Sequence, residues 1–490
     1  MNIQHLKKLI LVPFIGLILM PVWGQQLPSK DTLMKQMVTA NQYFMDKWPD
    51  PGADIVTDKV RPSNLWTRAA YYEGLMALYR SNPDTIYYQY AVDWGRSHDW
   101  MPTYGLQYTR DGDHQACGQT YVELYQMNPD STHWIAPITE CIRWIVNEDN
   151  IDDWSWIDAV QMAMPLYAKL GVVHQDPSFF HKMHEMYMFT KTQHGANGLY
   201  NTEDHLWYRD GNFDPPYQTP EGKDCYWSRG NGWVIAALVR VLEVIPDTLE
   251  YKEEYLTTFK EMAGALIDVQ REDGFWNASL ADPDDHGGKE TSGTAFFTYG
   301  LAWGINNGIL DSATYMPHVV EAWNGMAYEA LHPDGFLGYV QSTGKEPSDG
   351  YPFLYDKPAN FEDYGLGAFL LAGTEVLRLA PDTGSMPAFT PNDPVGMEET
   401  PTLRGADHEI TLYPNPAIDN YRLRLITEKP GELALTIMNA DGRVMNTDRK
   451  QITIGLNLID VDVRDWPVGV YLAVIEYGET RETVKFLKSN

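Results

Sequence analysis

The chain has 490 residues, enough for two or three domains, one of them with a large core. Its 37 Lys and Arg stand against 67 Asp and Glu, a net charge of −30. Such acidity repels nucleic acid and anionic membrane surfaces, which excludes both as main partners, and an anionic sugar would need local positive charge wherever it binds.

The first residues read as a processing signal. Lys7 and Lys8 precede an apolar run from Leu9 to Met20, and Val22-Trp-Gly24 offers small residues for cleavage. The run is too short to span a bilayer and lacks a charged stop, so residues 1–24 are expected to be a signal peptide and the product to be secreted. Three cysteines, Cys117, Cys141 and Cys225, are too few for a disulfide framework and point to buried thiols with at most one bridge.

From residue 25 to 381 the chain is rich in Trp, Tyr, Met and helical periodicity. Helices are expected to open on small residues at Trp66-Thr-Arg-Ala-Ala70, Ala116-Cys-Gly118, Trp156-Ile-Asp-Ala159, Gly230-Asn-Gly232, Ser292-Gly-Thr-Ala295 and Gly365-Leu-Gly-Ala368. A Gly-aromatic corner recurs as Asn197-Gly-Leu-Tyr200, Asp273-Gly-Phe-Trp276 and Asp334-Gly-Phe-Leu337. Starts spaced roughly 40 to 75 residues apart leave room for one helical hairpin each, the period of a ring or solenoid of helix pairs. An all-α (α/α)6 barrel is the preferred architecture, and an open solenoid is the other that the repeat allows. The starts would then gather at one mouth, with glycines letting a ligand approach the backbone.

Residues 382–404 carry Pro and Gly without apolar period and read as a linker. Residues 405–490 hold short alternating segments such as Tyr421-Arg-Leu-Arg-Leu-Ile426 and Val470-Tyr-Leu-Ala-Val-Ile475, the pattern of a small all-β sandwich.

Several residues in the helical part are candidates for chemistry. Asp158 lies in Trp154-Ser-Trp-Ile-Asp158, where desolvation would raise its pKa and suit it to general acid work. A helix cap or a hydrogen-bonded core carboxylate is the competing role. Asp113, in Asp111-Gly-Asp-His114, is a second carboxylate before a helix start, and capping is again the competing role. His205 follows a Gly-aromatic corner and would reach the mouth, unless it is an ordinary surface histidine. Arg229, between Trp227 and Trp233, would face the ligand with both tryptophans as walls, so its loss should harm kinetics and leave stability nearly unchanged. Asp282-Pro-Asp-Asp-His286 lacks an EF-hand spacing and reads as a solvated loop. There is no Walker loop, dinucleotide fingerprint or nucleophile elbow.

Trp227-Ser-Arg-Gly-Asn-Gly-Trp233, with Trp156-Ile-Asp158 upstream and Ser292-Gly-Thr-Ala295 downstream, resembles glycoside hydrolase family 105. These are the unsaturated rhamnogalacturonyl hydrolases, relatives of the unsaturated glucuronyl hydrolases. The resemblance runs from about Thr32 to Ala380 and implies an (α/α)6 barrel that works without metal or cofactor. It implies that Asp158 is the general acid and base, that Asp113 is the second site carboxylate, and that His205, Arg229 and Trp233 touch substrate, with Trp227 beside them. His114 departs from the family pattern, where many relatives carry another Asp. Trp66-Thr-Arg68 departs too, lacking a Tyr two residues after the Trp.

The expected reaction hydrates the C4=C5 double bond of a 4,5-unsaturated uronic acid on the non-reducing end of a polysaccharide-lyase product. Rhamnogalacturonan and ulvan-type glycans both remain open as the source. A conventional inverting glycosidase using Asp113 and Asp158, or a carbohydrate-binding protein without catalysis, are the alternatives. The tail, from Leu412-Tyr-Pro-Asn-Pro-Ala417 to Lys485-Phe-Leu-Lys488, resembles the C-terminal sorting domain of type IX secretion. The export machinery is therefore the expected protein partner.

Overall fold

The computed structural model describes residues 26–382 except 362, and most of 402–488, leaving out 405–407, 414–419, 428, 440–442, 454, 465, 468 and 479. The expected signal peptide and residues 383–401 of the expected linker lie outside the described residues. Two compact units divide at Ser385 and Met386.

The first unit is helical. Its helices are α1 (Lys30–Lys47), α2 (Trp66–Ser81), α3 (Thr85–Ser97), α4 (Gly112–Gln115), α5 (Cys117–Met127) and α6 (Ala136–Val146). They continue as α7 (Asp158–His174), α8 (Pro177–Thr192), α9 (Ser228–Leu242), α10 (Lys252–Asp268), α11 (Thr291–Asn306), α12 (Ser312–Gly325) and α13 (Asp363–Leu379). A small hairpin, β1 (Ile55–Val56) and β2 (Val60–Arg61), follows α1.

Burial separates two layers. Every residue of α9 is buried, as are Asp158 to Gly171 of α7, which leaves these helices no solvent face. By contrast α1 buries Leu33, Met37, Ala40, Asn41, Phe44 and Met45, a single stripe at helical spacing. The inner helices α2, α5, α7, α9, α11 and α13 pack in that order, and α13 packs back on α2. The ring is therefore closed, and the open solenoid is excluded. Helices α1, α3, α8, α10 and α12 cover α13, α2, α7, α9 and α11 from outside.

The recurring Gly-aromatic corners have a structural cause. Gly198, Gly274 and Gly335 all adopt positive φ (89°, 81° and 97°). A Cβ on any of them would collide with a helix carbonyl, of Lys191, Glu321 or Thr39 respectively. Each corner thus lays the chain directly on the backbone of an outer helix, which only glycine permits. The aromatic that follows then begins a short return: Tyr200 pairs with Trp207 and Trp276 with Glu290.

The second unit has two four-stranded antiparallel sheets, in the orders β10-β9-β6-β7 and β3-β4-β5-β8. These strands are β3 (Thr402–Arg404), β4 (His408–Tyr413), β5 (Asn420–Thr427), β6 (Gly431–Asn439), β7 (Val444–Ile452), β8 (Gly455–Asp462), β9 (Gly469–Tyr477) and β10 (Thr480–Lys488). Alternate residues of both sheets, among them Tyr421, Leu423, Leu435, Ile437, Ala473 and Ile475, share one core, the arrangement of a small sandwich.

Ring closure rests on glycine. Cβ atoms on Gly367 of α13 and Gly74 of α2 would strike the Ala70 and Gly367 carbonyls, so the two helices meet backbone to backbone. Helix propensity alone would make Gly367→Ala stabilising by about 1 kcal/mol. The collision is with a carbonyl that cannot swing aside, so the variant is expected to lose about 1–3 kcal/mol instead. Thermal unfolding decides the sign.

Candidate active site

All six inner helices begin at the same end of the ring, and their first turns make its mouth. Asp158 opens α7 with its side chain 11% exposed. Burial pushes its pKa up, against the pull of Arg209 and Arg229. Asp113 sits in the short α4, whose backbone N–H donates to Asp111 at 3.0 Å. Gly112 lies against Ala159, so α4 rests on the first turn of α7 and brings the two carboxyl groups together. Burial, then the charges of Asp111 and Asp158, push Asp113 up to about 8.

Arg209 completes the group. Its Nε donates to Asp158 Oδ2 at 3.2 Å and its Nη1 to Asp210 Oδ2 at 2.6 Å. The backbone fixes this placement, because Trp156 pairs with Asp210 and the Ile157 N–H donates to the Arg209 carbonyl at 3.0 Å. A cavity of about 370 Å³ opens beside Arg209, bordered by Trp156, Ser155, His194, Asp210 and Asn212. Trp156 and Trp66 are both partly exposed, which makes them the tryptophans here that can offer a face to a sugar.

The Trp-Ser-Arg-Gly-Asn-Gly-Trp segment is used differently from the sequence expectation. Trp227, Arg229 and Trp233 are 1%, 0% and 0% exposed and present no surface to a ligand. Arg229 donates to the carbonyls of Gln341 (2.9 Å) and Ser342 (2.7 Å), with its guanidinium 4.6 Å from the Trp227 ring and 4.9 Å from Tyr364. Its second wall is therefore Tyr364, while Trp233 packs on Phe296, ring centres 4.4 Å apart. Gly230 makes room for Trp227 and Ile157, and Gly232 for Phe296, so neighbouring side chains rather than a ligand fill that space. Asn231 bonds both backbone groups of Trp207, at 2.8 and 3.0 Å, and ties the preceding hairpin to the helix start.

His205 also turns away. Its Nδ1 lies 3.2 Å from the Tyr200 hydroxyl and 3.7 Å from Glu261 on the outer helix α10, so it faces the outer layer and not the carboxyl pair. His114 contacts the Thr109 hydroxyl at 3.1 Å and meets Tyr104 edge to face. Asp282, expected in a solvated loop, is fully buried and accepts from the Thr219 hydroxyl. All three cysteines are buried and free. Among the described residues no group of three or more His, Cys, Asp or Glu is placed to hold a metal ion. Arg209 is the functional residue that sequence reasoning missed. The available signal was its place two residues beyond Trp207, on the hairpin already singled out.

Residues 36–380 match Glycosyl Hydrolase Family 88. The chain belongs to this family. A family 88 structure from Bacteroides vulgatus is 34% identical and superposes with a TM-score of 0.65, covering 72% of this chain and 99% of that one. The "Unsaturated 3S-rhamnoglycuronyl hydrolase" of Formosa agariphila is 32% identical over 331 residues, 64% of this chain and 84% of the relative. A possible family 105 member from Salmonella enterica shares the fold at 20% identity and a TM-score of 0.59. Residues 411–489 match a secretion system C-terminal sorting domain. The family 88 chain is thus a glycoside hydrolase with an export tail.

Two outcomes follow from this family 88 site. Arg229→Ala and Arg229→Lys should each destabilise by about 2–4 kcal/mol, since neither keeps a planar fork on two buried carbonyls. An unchanged Tm in both variants would return Arg229 to the substrate's side. Asp113, protonated below about 8, adds a negative charge beside Asp158 once pH rises past that value. An ionised Asp113 can no longer donate a hydrogen bond, so activity should fall through about pH 8, and Asp113→Asn, which keeps a donor, should weaken that alkaline limb in a kcat/KM profile.

Proposed function

We propose that the enzyme removes a 4,5-unsaturated uronic acid from the non-reducing end of oligosaccharides made by polysaccharide lyases. The observation that carries this reading is the trio at the mouth: two carboxyl groups brought together where α4 rests on α7, both pushed up by burial, and a guanidinium bonded to the first. Asp158 gives its proton to C4 of the enol ether, which places positive charge on C5 and the ring oxygen. The resulting carboxylate takes a proton from water as its oxygen bonds to C5. The hemiketal so formed opens, and the neighbouring sugar leaves with its hydroxyl restored. One carboxyl serves both proton transfers, unlike the paired carboxylates of ordinary glycosidases.

Arg209 supplies the cation that an acidic chain needs for an acidic substrate, and its side chain borders the cavity. A uronate competing for its donors would loosen its bond to Asp158 and raise that group's proton affinity as substrate arrives. Asp113, neutral at working pH, donates to a sugar hydroxyl without repelling the uronate. The relative acting on a 3S-rhamnoglycuronyl substrate favours a sulfated rhamnose as the sugar released.

Loss of the double bond's ultraviolet absorbance, with deuterium appearing at C4 in heavy water, tests the reaction. Cleavage of a saturated uronide at equal rate would instead favour the inverting glycosidase. Asp158→Asn should keep the fold and lower turnover by about 10²–10⁴-fold, because an amide cannot exchange the proton. Arg209→Ala should lower kcat/KM by about tenfold or more.

The sorting tail makes this a secreted or cell-surface enzyme handled by type IX export, for which residues 1–24 would serve as the signal peptide. A chain ending at Asp382 keeps the Lys30–Asp382 ion pair and every helix of the ring. It should retain kcat/KM within about twofold of the full chain; inactivity of a folded product would give the tail a part in binding or chemistry.

A further inference from the structure

A second cavity, of about 210 Å³, lies on the outer side of the first turns of α2 and α13, between the end of α1, the β1–β2 hairpin and the loop leading into α13. Arg68 reaches it from the first turn of α2. It stands two residues after Trp66, and at about 100° per residue the two side chains leave opposite sides of the helix. Trp66 faces the ring interior, where it stacks with Tyr364 and meets the edge of Trp233. Arg68 faces outward, 1% exposed, with its guanidinium 5.0 Å from the Phe44 ring and 4.8 Å from Trp48.

The bonding of Arg68 is incomplete. Its Nε donates to Asp363 Oδ2 at 3.1 Å, but Nη1 is buried with no hydrogen-bond partner. Buried guanidinium N–H groups are seldom left open, and this one belongs to a side chain that borders a cavity. The space equals about seven waters, the bulk of one sugar ring with a charged substituent. Phe361 adds a third aromatic wall, and Lys47 and Arg61 stand beside it, Arg61 lying 5.3 Å over the Phe361 ring. The cavity thus gathers cations beside aromatic rings, with Arg68 paired to Asp363 on its wall and Arg61 paired to Asp58.

We propose that this cavity is a second binding site, distinct from the cavity beside Arg209, for an anionic sugar residue bearing a carboxylate or sulfate. Nη1 of Arg68 donates to an oxygen of the acid group, and the aromatic rings pack against the sugar. The nature of the polymer rests on the function proposed above; the binding itself needs no turnover. The occupant is either a distal residue of the chain held in the mouth or a segment of a separate chain.

The test uses two variants of the full chain. Arg68→Lys keeps a charge for Asp363 but removes the open N–H. Ala359→Trp fills the cavity from its loop wall and leaves the Arg68 and Asp363 side chains unsubstituted. Affinity electrophoresis in a sulfated, uronate-containing polysaccharide should show retardation weakened about tenfold in both, with neutral dextran as control. Turnover of an unsaturated disaccharide should stay within about twofold. If KM for an unsaturated hexasaccharide also rises with kcat unchanged, the occupant is the distal end of the substrate; an unchanged KM assigns a separate chain. Retardation equal to the parent's in both folded variants, or equal to that in dextran, overturns the proposal and leaves the cavity to water. A parent that is retarded but cannot hydrate the disaccharide would sink the proposed reaction and leave this site standing.

Discussion

The distance between α2 and α13 is set by two glycines, and the geometry of the mouth depends on it. Where Gly367 and Gly74 meet carbonyls directly, there is no side chain left to adjust the fit. The far side of the ring is held by a different force. At the end away from the mouth, Glu123 of α5 accepts from Lys169 of α7 at 2.6 Å, Arg240 of α9 at 3.0 Å and Arg80 of α2 at 2.9 Å. Glu73 of α2 joins through Gln161 and Arg240, at 2.7 and 3.4 Å. Such buried charges add little net stability, but any rotation of one helix would strand a charge, which is costly. Backbone contact therefore fixes spacing on one side of the ring, and ion pairing fixes rotation on the other.

Fixed rotation matters because the functional groups occupy first turns. Asp158 is the first residue of α7, and a turn of the helix by one position would carry it from the mouth into the wall. The mouth also resolves the problem of an acidic protein with an acidic substrate. Asp113 is neutral at working pH, Asp158 is raised toward neutrality by burial, and two guanidinium groups act on Asp158. The overall charge of −30 resides elsewhere and keeps the chain soluble without governing the site.

The architecture was legible because its determinants are local. Small residues at helix starts are dictated by the side chains packed against them and glycines at corners by helix carbonyls, so the repeat could be read before any contact was known. The place of Asp158 and Asp113 at the mouth was legible for a related reason, since each stands at or just before a helix start marked by small residues. The directions of His205 and Arg209 were not legible. They lie close together in one segment, and which faces the mouth depends on the local pairing of Tyr200 with Trp207 and on that of Trp156 with Asp210, a contact between segments far apart in sequence. Arg229 misled for another reason. A planar fork between aromatic rings serves a substrate carboxylate and two backbone carbonyls equally well, and the residues around it do not distinguish them.

The difference between Arg229 and Arg209 also follows from what each must do. Arg229 lowers the proton affinity of Asp158 from behind the wall, and its bonds to two carbonyls hold that influence constant. Arg209, 20% exposed, bonds Asp158 directly and shares its donors with Asp210 at the edge of the cavity. A buried cation with neutral acceptors cannot trade partners without stranding them. One that borders a cavity, bonded to carboxylates, can pass a donor to an incoming anion at little cost. The buried arginine therefore sets a baseline for Asp158, and under the proposed function the partly exposed one makes that baseline responsive to the substrate's charge.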